Sequence, residues 1–339
     1  MNNLGFELPN GFKINPVLLD CCLDVDGFGS PGIFLDTRNN EIDRENSTTI
    51  LKSITRHPRI GNYGTSILSK KGWAMTDYGF PLPKMLCYTP IGGGSTVNSV
   101  GLTNDGFDNF LNMEFAQEYI IPSIFFEFGK GSKNEVKKAI NAARYMGEKL
   151  RAKFCLTSNS NLSTWDGKTY FLAAVVINIS CPNDGNGVIQ YLDDIVEVVK
   201  AFKNAIGDVP IGIKYSYVQD IQLAIILEKE VDIAFHQAIN SIPFRMVFDY
   251  YKFSPLSHIG HGGVSGTAIK EHSLDYLIRL RCALPKAKII SGGGISNIAD
   301  ALERLPYCDA IALGILVNKN PTEANEIINH FKVNSNKLS

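Results

Sequence analysis

The sequence predicts an α/β protein, a TIM (β/α)8 barrel with an inserted loop or small subdomain near its C-terminal face. Three observations carry that expectation. From residue 120 onward, short apolar runs rich in β-branched residues alternate with amphipathic segments, the pattern of a parallel sheet built from βα units. About eight such strands in 339 residues suit one barrel better than a doubly wound sheet. The polar residues of the apolar runs fall at or near their C-terminal ends, where a barrel carries its chemistry. The whole chain, 1–339, is expected to form one barrel domain, with 63–86 as the insertion.

Taken in order, residues 16–23 (PVLLDCCL) form a first strand, with Asp20 an odd occupant of a buried run. A polar loop follows. Residues 48–55 form a second strand, in which Lys52 either snorkels outward or faces an anionic or electron-rich ligand. Residues 59–86 lack periodicity and are rich in Gly, Tyr, Pro and Lys, which places the insertion there, over one end of the fold. After the glycine-rich stretch from Tyr88, Thr103 or Asn104 is expected to cap a helix through Phe107, Phe110, Leu111 and Phe115. A strand over 120–128 precedes a helix over 134–153, whose Val136, Ile140, Ala143, Met146 and Leu150 share one face. Strands are then expected at 171–177, 210–215, 231–238, 287–290 and 310–316. Helices are expected at about 190–205, at 220–229, at 296–305 with Ser296 as N-cap, and at 321–331 behind an opening proline.

Composition narrows the class. Hydrophobic residues at 45%, charged residues at 20% and a net charge of −1 describe an ordinary soluble protein with no basic field for nucleic acid. The seven cysteines fall at irregular spacings with no C-x-x-C pair, so neither a zinc nor an iron–sulfur site is expected. Reduced thiols and the absence of a signal-peptide pattern fit a cytoplasmic protein. No apolar run is long enough to suggest a membrane span.

The chemistry concentrates after the apolar run that ends at Ile177. Cys181 sits between Asn178 and Asn183 and is followed at once by Pro182. A lone thiol at a strand's C-terminal end is a candidate acid/base or nucleophile, and two amides beside it can read a planar, amide-rich ligand. The alternative is a small buried hydrophobe. Glycine clusters at 262–266 and 291–294, together with Gly314-Ile315, suit a phosphate, either of a substrate or of FMN. Lys52 and Lys214 inside strands suit FMN, because a cation near the flavin N1/O2 edge stabilises the reduced anionic ring; otherwise they are paired or exposed strand-end lysines.

At these residues the chain resembles the dihydroorotate dehydrogenase family, over about 12–330. Asn178-Ile-Ser-Cys-Pro-Asn183 resembles its Asn-(Leu/Ile)-Ser-Cys-Pro-Asn catalytic loop. Asn98-Ser-Val-Gly-Leu-Thr-Asn104, followed by Gly106, resembles its substrate loop. Lys52-Ser-Ile-Thr55 with Pro58-Arg-Ile-Gly-Asn62, and the turns Gly262-Gly-Val-Ser-Gly266 and Ser291-Gly-Gly-Gly294, resemble further family segments. A cysteine at 181 resembles the soluble class 1 enzymes.

The resemblance implies FMN across the barrel mouth and oxidation of dihydroorotate to orotate, a step of pyrimidine biosynthesis. Cys181, as thiolate, would remove the C5 proton while the C6 hydride passes to flavin N5. Asn98, Asn178, Asn183, Asn240 and Ser241 would hold the pyrimidine, with Val100, Gly101 and Leu102 completing the substrate loop. Lys52 would touch flavin and substrate, and Lys214 the flavin N1/O2 edge. Cys21, Ser53, Asn178, Ile239, Gly266, Gly293, Gly294, Gly314 and Ile315 would complete the FMN site. The electron acceptor would be fumarate or a NAD-linked iron–sulfur flavoprotein subunit, and the assembly a homodimer. The first strand departs from the family, reading Leu19-Asp20-Cys21-Cys22 where an Asn-Ala-Ser-Gly-like turn is usual. Two alternatives stand beside this. One is a related dihydropyrimidine dehydrogenase/reductase, against which Asn183 argues. The other is an FMN- or phosphate-binding barrel without turnover.

Overall fold

Nine short parallel strands make one sheet in the computed structural model, which describes residues 4–21, 41–66, 68–77, 79–126, 132–154, 164–165, 168–179, 192–248 and 254–336. They are β1 (Val17–Asp20), β2 (Thr48–Ile50), β3 (Ser53–Ile54), β4 (Ser123–Ile124), β5 (Val175–Asn178), β6 (Ile211–Lys214), β7 (Phe235–Ala238), β8 (Ile289–Gly292) and β9 (Ala310–Leu313). The order runs β2-β1-β9-β8-β7-β6-β5-β4-β3. Its two ends, β2 and β3, are consecutive pieces of a single stretch. The sheet therefore closes on itself as an eight-stave barrel, with one stave broken at Leu51-Lys52. The break is bridged by Cys21 N to Ile50 O at 2.9 Å and Leu51 N to Ile121 O at 3.0 Å.

Strand periodicity sorts the side chains into two cores. Leu18, Ile50, Val176, Phe235, Ile290, Ala310 and Ala312 fill the bore. Val17, Leu19, Ile177, Ile211, Ile213, Ile289 and Ile311 face outward and pack under the helices. Full burial of each such aliphatic side chain contributes about 1.5–3 kcal/mol. Gly212 is required inside the bore, since a Cβ there would lie 2.1 Å from the Phe235 ring. A hairpin of Phe6–Glu7 and Lys13–Ile14 brings Phe6, Leu8 and Ile14 onto the bore and closes its N-terminal end.

The outer layer comprises α1 (Lys133–Lys153), α2 (Leu192–Ile206), α3 (Ile221–Val231), α4 (Lys270–Ala283), α5 (Ile298–Arg304), α6 (Ile315–Lys319) and α7 (Pro321–Asn336). The side chains of Ser132 and Asp220 cap α1 and α3 by accepting from Glu135 N and Gln222 N. No helix among the described residues is long and apolar enough to cross a membrane.

Several elements differ from expectation. The runs 120–128 and 171–177 each break into two. Tyr119–Ile120 pairs with Phe171–Leu172 beside the barrel, and only Ser123–Ile124 and Val175–Asn178 are staves, because Pro122 cannot donate to a ladder. The N-cap of α5 is Asn297, whose Oδ1 accepts from Asp300 N at 2.9 Å. Ser296 instead donates through Oγ to the Asp300 carboxylate at 2.6 Å. The helix expected from 103 or 104 to 115 is a single turn, Phe107–Phe110, behind Gly106. Asn104 is engaged elsewhere, its Oδ1 accepting from Gly106 N at 2.9 Å and Thr55 N at 3.3 Å. Helix α4 lies where no helix was expected.

So does a four-stranded antiparallel sheet of Tyr88–Gly92, Ser95–Asn98, Gly263–Ser265 and Ile242–Pro243, with Val97 opposite Val264. It stands at the C-terminal face, directly after β7. Within 63–86 a hairpin pairs Trp73–Met75 with Pro81–Pro83. That segment is tied down by Asp77 N to Ser257 Oγ at 3.1 Å, and the chain just before it by Asn62 N to Val100 O at 2.9 Å.

Candidate active site

A cleft opens over the C-terminal ends of the staves. The floor is an inward-facing polar layer. Asn178, Lys214 and Gln237 stand side by side on β5, β6 and β7, one register step above the apolar Val176 and Phe235. Asp20 ends β1 on the opposite side of the ring and reaches across the bore. Lys214 Nζ donates to Asp20 Oδ2 at 2.6 Å, with side-chain exposures of only 5% and 10%. The second carboxylate oxygen, Asp20 Oδ1, is buried and meets no hydrogen-bond donor among the described residues. Asn178 is oriented by donating through Nδ2 to Ser53 Oγ at 2.9 Å, and Ser53 in turn shares a proton with Ser123 Oγ at 2.8 Å.

One wall comes from the strand end at Asn98 and the loop Val100-Gly101-Leu102. The backbone there turns through positive φ at Gly101 (78°) and Leu102 (57°), a conformation that costs a leucine energy and that surrounding contacts must hold. Asn62 supplies such contacts, donating to Ser99 O at 2.7 Å through its side chain. A second wall continues β7 as Ile239, Asn240 and Ser241, with Asn240 N bonded to Tyr215 O at 2.9 Å. Lys52 and Ser53 enter from the broken stave.

The third side is the glycine cradle of Gly266, Gly293, Gly294, Gly314 and Ile315. Gly266 and Gly294 hold positive φ, and a Cβ would lie 2.3 Å from Gly94 O at the first and 2.4 Å from Lys270 Cα at the second. Only glycine fits these turns, which leaves backbone free to approach a phosphate closely. Behind them, Ser273 Oγ donates to Gly293 O at 2.7 Å, and Arg304 bonds both Ser273 and Ser291. Amides and a lysine–carboxylate pair at the floor, isoleucines 239, 269, 295 and 315 around the sides and glycine turns at one end suit a planar, phosphorylated ligand.

The structure thus gathers Cys21, Lys52, Ser53, Asn98, Val100, Gly101, Leu102, Asn178, Lys214, Ile239, Asn240, Ser241, Gly266, Gly293, Gly294, Gly314 and Ile315 around one cleft. Cys181 and Asn183 lie outside the described residues. Asp20, Ser265, Ile269, Ile295, Ala312 and Asn318 also line the cleft and had no role assigned from sequence. For Asp20 the signal was present, a carboxylate in an apolar strand. Ser265 sits in the glycine turn already singled out, whereas Ile269, Ile295 and Ala312 are side chains typical of a core and carried no signal, and Asn318 had none either. Among the described residues, no cluster of three His, Cys, Asp or Glu is placed to hold a metal ion.

Cys21 is expected to hold its proton near neutral pH. Burial, and next the charge of Asp20, push its pKa up to about 12, against a smaller opposing effect of Lys214. It donates to Leu51 O at 3.3 Å. A raised thiol pKa keeps the proton on throughout the neutral range, and the thiolate is the nucleophile. Mild iodoacetamide treatment of the folded protein near neutral pH is therefore expected to modify exposed Cys282 and spare Cys21. Peptide mapping that found both modified at equal rates would contradict this.

Comparison with known proteins places the chain. The family model described as dihydroorotate dehydrogenase matches residues 74–332. The catalytic subunit of dihydroorotate dehydrogenase B (NAD(+)) from Thermoplasma volcanium is 31% identical over 249 residues, 71% of each chain. The protein of the same description from Listeria monocytogenes serotype 4a is 26% identical over 349 residues, 100% of this chain and 95% of the relative. The fumarate-type dihydroorotate dehydrogenase of Saccharomyces paradoxus is 27% identical over 263 residues, 74% of each chain. The crystal structure of ligand-free DHODH from Eimeria tenella shares the fold, with a TM-score of 0.65 at 15% identity over 100% of this chain and 89% of that one.

Proposed function

We propose that this chain, which belongs to the dihydroorotate dehydrogenase family of oxidoreductases, oxidises dihydroorotate to orotate in pyrimidine biosynthesis with FMN as its cofactor. The observation that carries this is the single cleft in which Lys52, Asn98, Asn178, Lys214, Asn240 and Ser241 meet the glycine cradle. FMN, when bound, supplies the hydride acceptor at N5 for the C6 hydride of the substrate.

The chain's own residues do the rest. Gly266, Gly293, Gly294, Gly314 and Ile315 hold the phosphate end, and Cys21, Ser53 and Ile239 border the ring. The amides of Asn98, Asn178, Asn183 and Asn240, with Ser241, match the alternating donors and acceptors of a dihydropyrimidine. Lys52 offers a charge to substrate and flavin alike. Cys181, three residues beyond Asn178, takes the C5 proton. An ordinary thiol has a pKa near 8.5, so a thiol acting as base near neutral pH needs activation. The chain is taken as one barrel domain with 63–86 inserted, acting in the cytoplasm as a homodimer. The acceptor is fumarate or a NAD-linked iron–sulfur flavoprotein subunit; the turn at 262–266 favours the second and Asn240-Ser241 the first.

Anaerobic stopped-flow of the purified protein at its flavin band tests this. Rapid bleaching by dihydroorotate and none by dihydrouracil is the expected result. Bleaching by dihydrouracil alone would assign a dihydropyrimidine reductase. A colourless protein, or a flavin that neither compound reduces, would leave a binding barrel without turnover.

A further inference from the structure

Asp20 has no part in the function as described so far, yet it is the acidic group at the centre of the cleft floor. It faces inward from the end of an apolar strand, meets Lys214 across the bore at 2.6 Å, and leaves Oδ1 buried without a donor among the described residues. Both residues line the cleft. Next to them, the Cys21 thiol retains its proton and adds no charge. The floor is therefore a lysine–carboxylate pair where a lysine alone would present a full positive charge.

Resting on the flavin reading above, we infer that Asp20 is a positioning residue that offsets the charge of Lys214 and thereby lowers the reduction potential of the bound flavin. A reduced flavin is anionic at its N1/O2 edge, whereas the oxidised ring is neutral. A bare cation on the floor would favour the reduced form selectively. A carboxylate in contact with that cation leaves a dipole, whose field falls off faster with distance than that of a charge. Burial keeps water from screening the difference. Charge near the flavin's N1 and N5 is among the protein's means of setting its electronics. The carboxylate of Asp20 adds to the same direction by repelling electron density on the ring. The consequence is a flavin that gives up its electrons to the acceptor more readily, at the expense of driving force when the substrate reduces it.

The test is anaerobic spectroelectrochemical titration of full-length, FMN-loaded protein. Asp20→Asn is expected to raise the ratio of reduced to oxidised flavin at a given potential by roughly tenfold, a rise of about 30 mV for a two-electron couple. Lys214→Met is expected to move the potential the opposite way. The double variant, with a floor again free of net charge, is expected to return toward the wild-type value, and Asp20→Glu to stay near it. Should Lys214→Met alone fail to fold, the double variant and the Asn/Glu pair at position 20 still decide. A potential that ignores Asp20→Asn, or a double variant no closer to wild type than Asp20→Asn, overturns the inference while leaving the flavin reading standing. A protein that takes up no FMN overturns both.

Discussion

Replacing Cys181 with serine is expected to slow reduction of the flavin by dihydroorotate by about 10²–10⁴-fold, the usual contribution of a general base, while FMN stays bound. A serine hydroxyl is far less acidic than a thiol and is almost never ionised near neutral pH. The residues proposed to hold FMN, in the cradle at 266, 293, 294 and 314 and in Lys214, are left unchanged by the substitution. In the wild type, the rate of reduction is expected to rise with pH through the pKa of the thiol, because the thiolate is the form that accepts the proton. Stopped-flow traces of the two proteins across a pH series measure both effects. Equal rates would remove Cys181 from the base role and leave the amides and Lys52 as the candidates for proton transfer.

Arg304→Ala is expected to lower the stability of the fold by about 3 kcal/mol through lost buried hydrogen bonds and a residual cavity. Arg304 is wholly buried between the sheet and the helices. It donates to Ser291 Oγ at 3.2 Å, to Ser273 Oγ at 2.9 Å and to Lys270 O at 3.3 Å. Burial holds its pKa below the ordinary arginine value, against the opposing charges of Cys308, Asp300, Glu303 and Glu271. Truncation takes the arginine donor from Ser291 Oγ, Ser273 Oγ and Lys270 O, the last of which keeps a bond from Ser273 Oγ at 2.9 Å, and opens a void directly behind the turn 291–294. Urea unfolding of the cofactor-free protein measures the loss, and weaker retention of FMN on dialysis is expected with it, since Ser273 and Ser291 anchor the cradle. An unchanged unfolding midpoint would show that the layer collapses around the void without penalty.

Several staves were legible because burial on both faces makes them apolar, β-branched runs, as in Val175-Val176-Ile177 or Ile289-Ile290. Helix α1 was legible because Val136, Ile140, Ala143, Met146 and Leu150 recur on one face; the structure adds the caps Ser132 and Asp220 of α1 and α3. Helix α4 was hidden because its sequence, KEHSLDYLIRLRCA, opens polar behind a glycine-rich turn and has no capping side chain. The antiparallel sheet at the mouth was hidden because its strands come from distant segments, and Gly92, Gly93 and Gly94 read as a loop when they are a hairpin turn. Most of the residues that line the cleft were picked out from sequence by motif spacing. What spacing does not give is the partner of a charge: Asp20 and Lys214 are 194 positions apart and meet only because β1 and β6 stand opposite each other in a closed ring.

That ring also has a history. β1 finds one neighbour in β2, which follows it closely, and the other in β9, where Val17 lies opposite Ile311. Until the ribosome has delivered residues 310–313, the curved sheet has two unsatisfied edges, β1 on one side and β8 on the other, each made of apolar residues. Unpaired edges of this kind recruit other chains, and contacts between such distant positions form slowly. The vulnerable moment for this protein is thus late in its synthesis, when β1 and β8 still wait for β9 to close the ring.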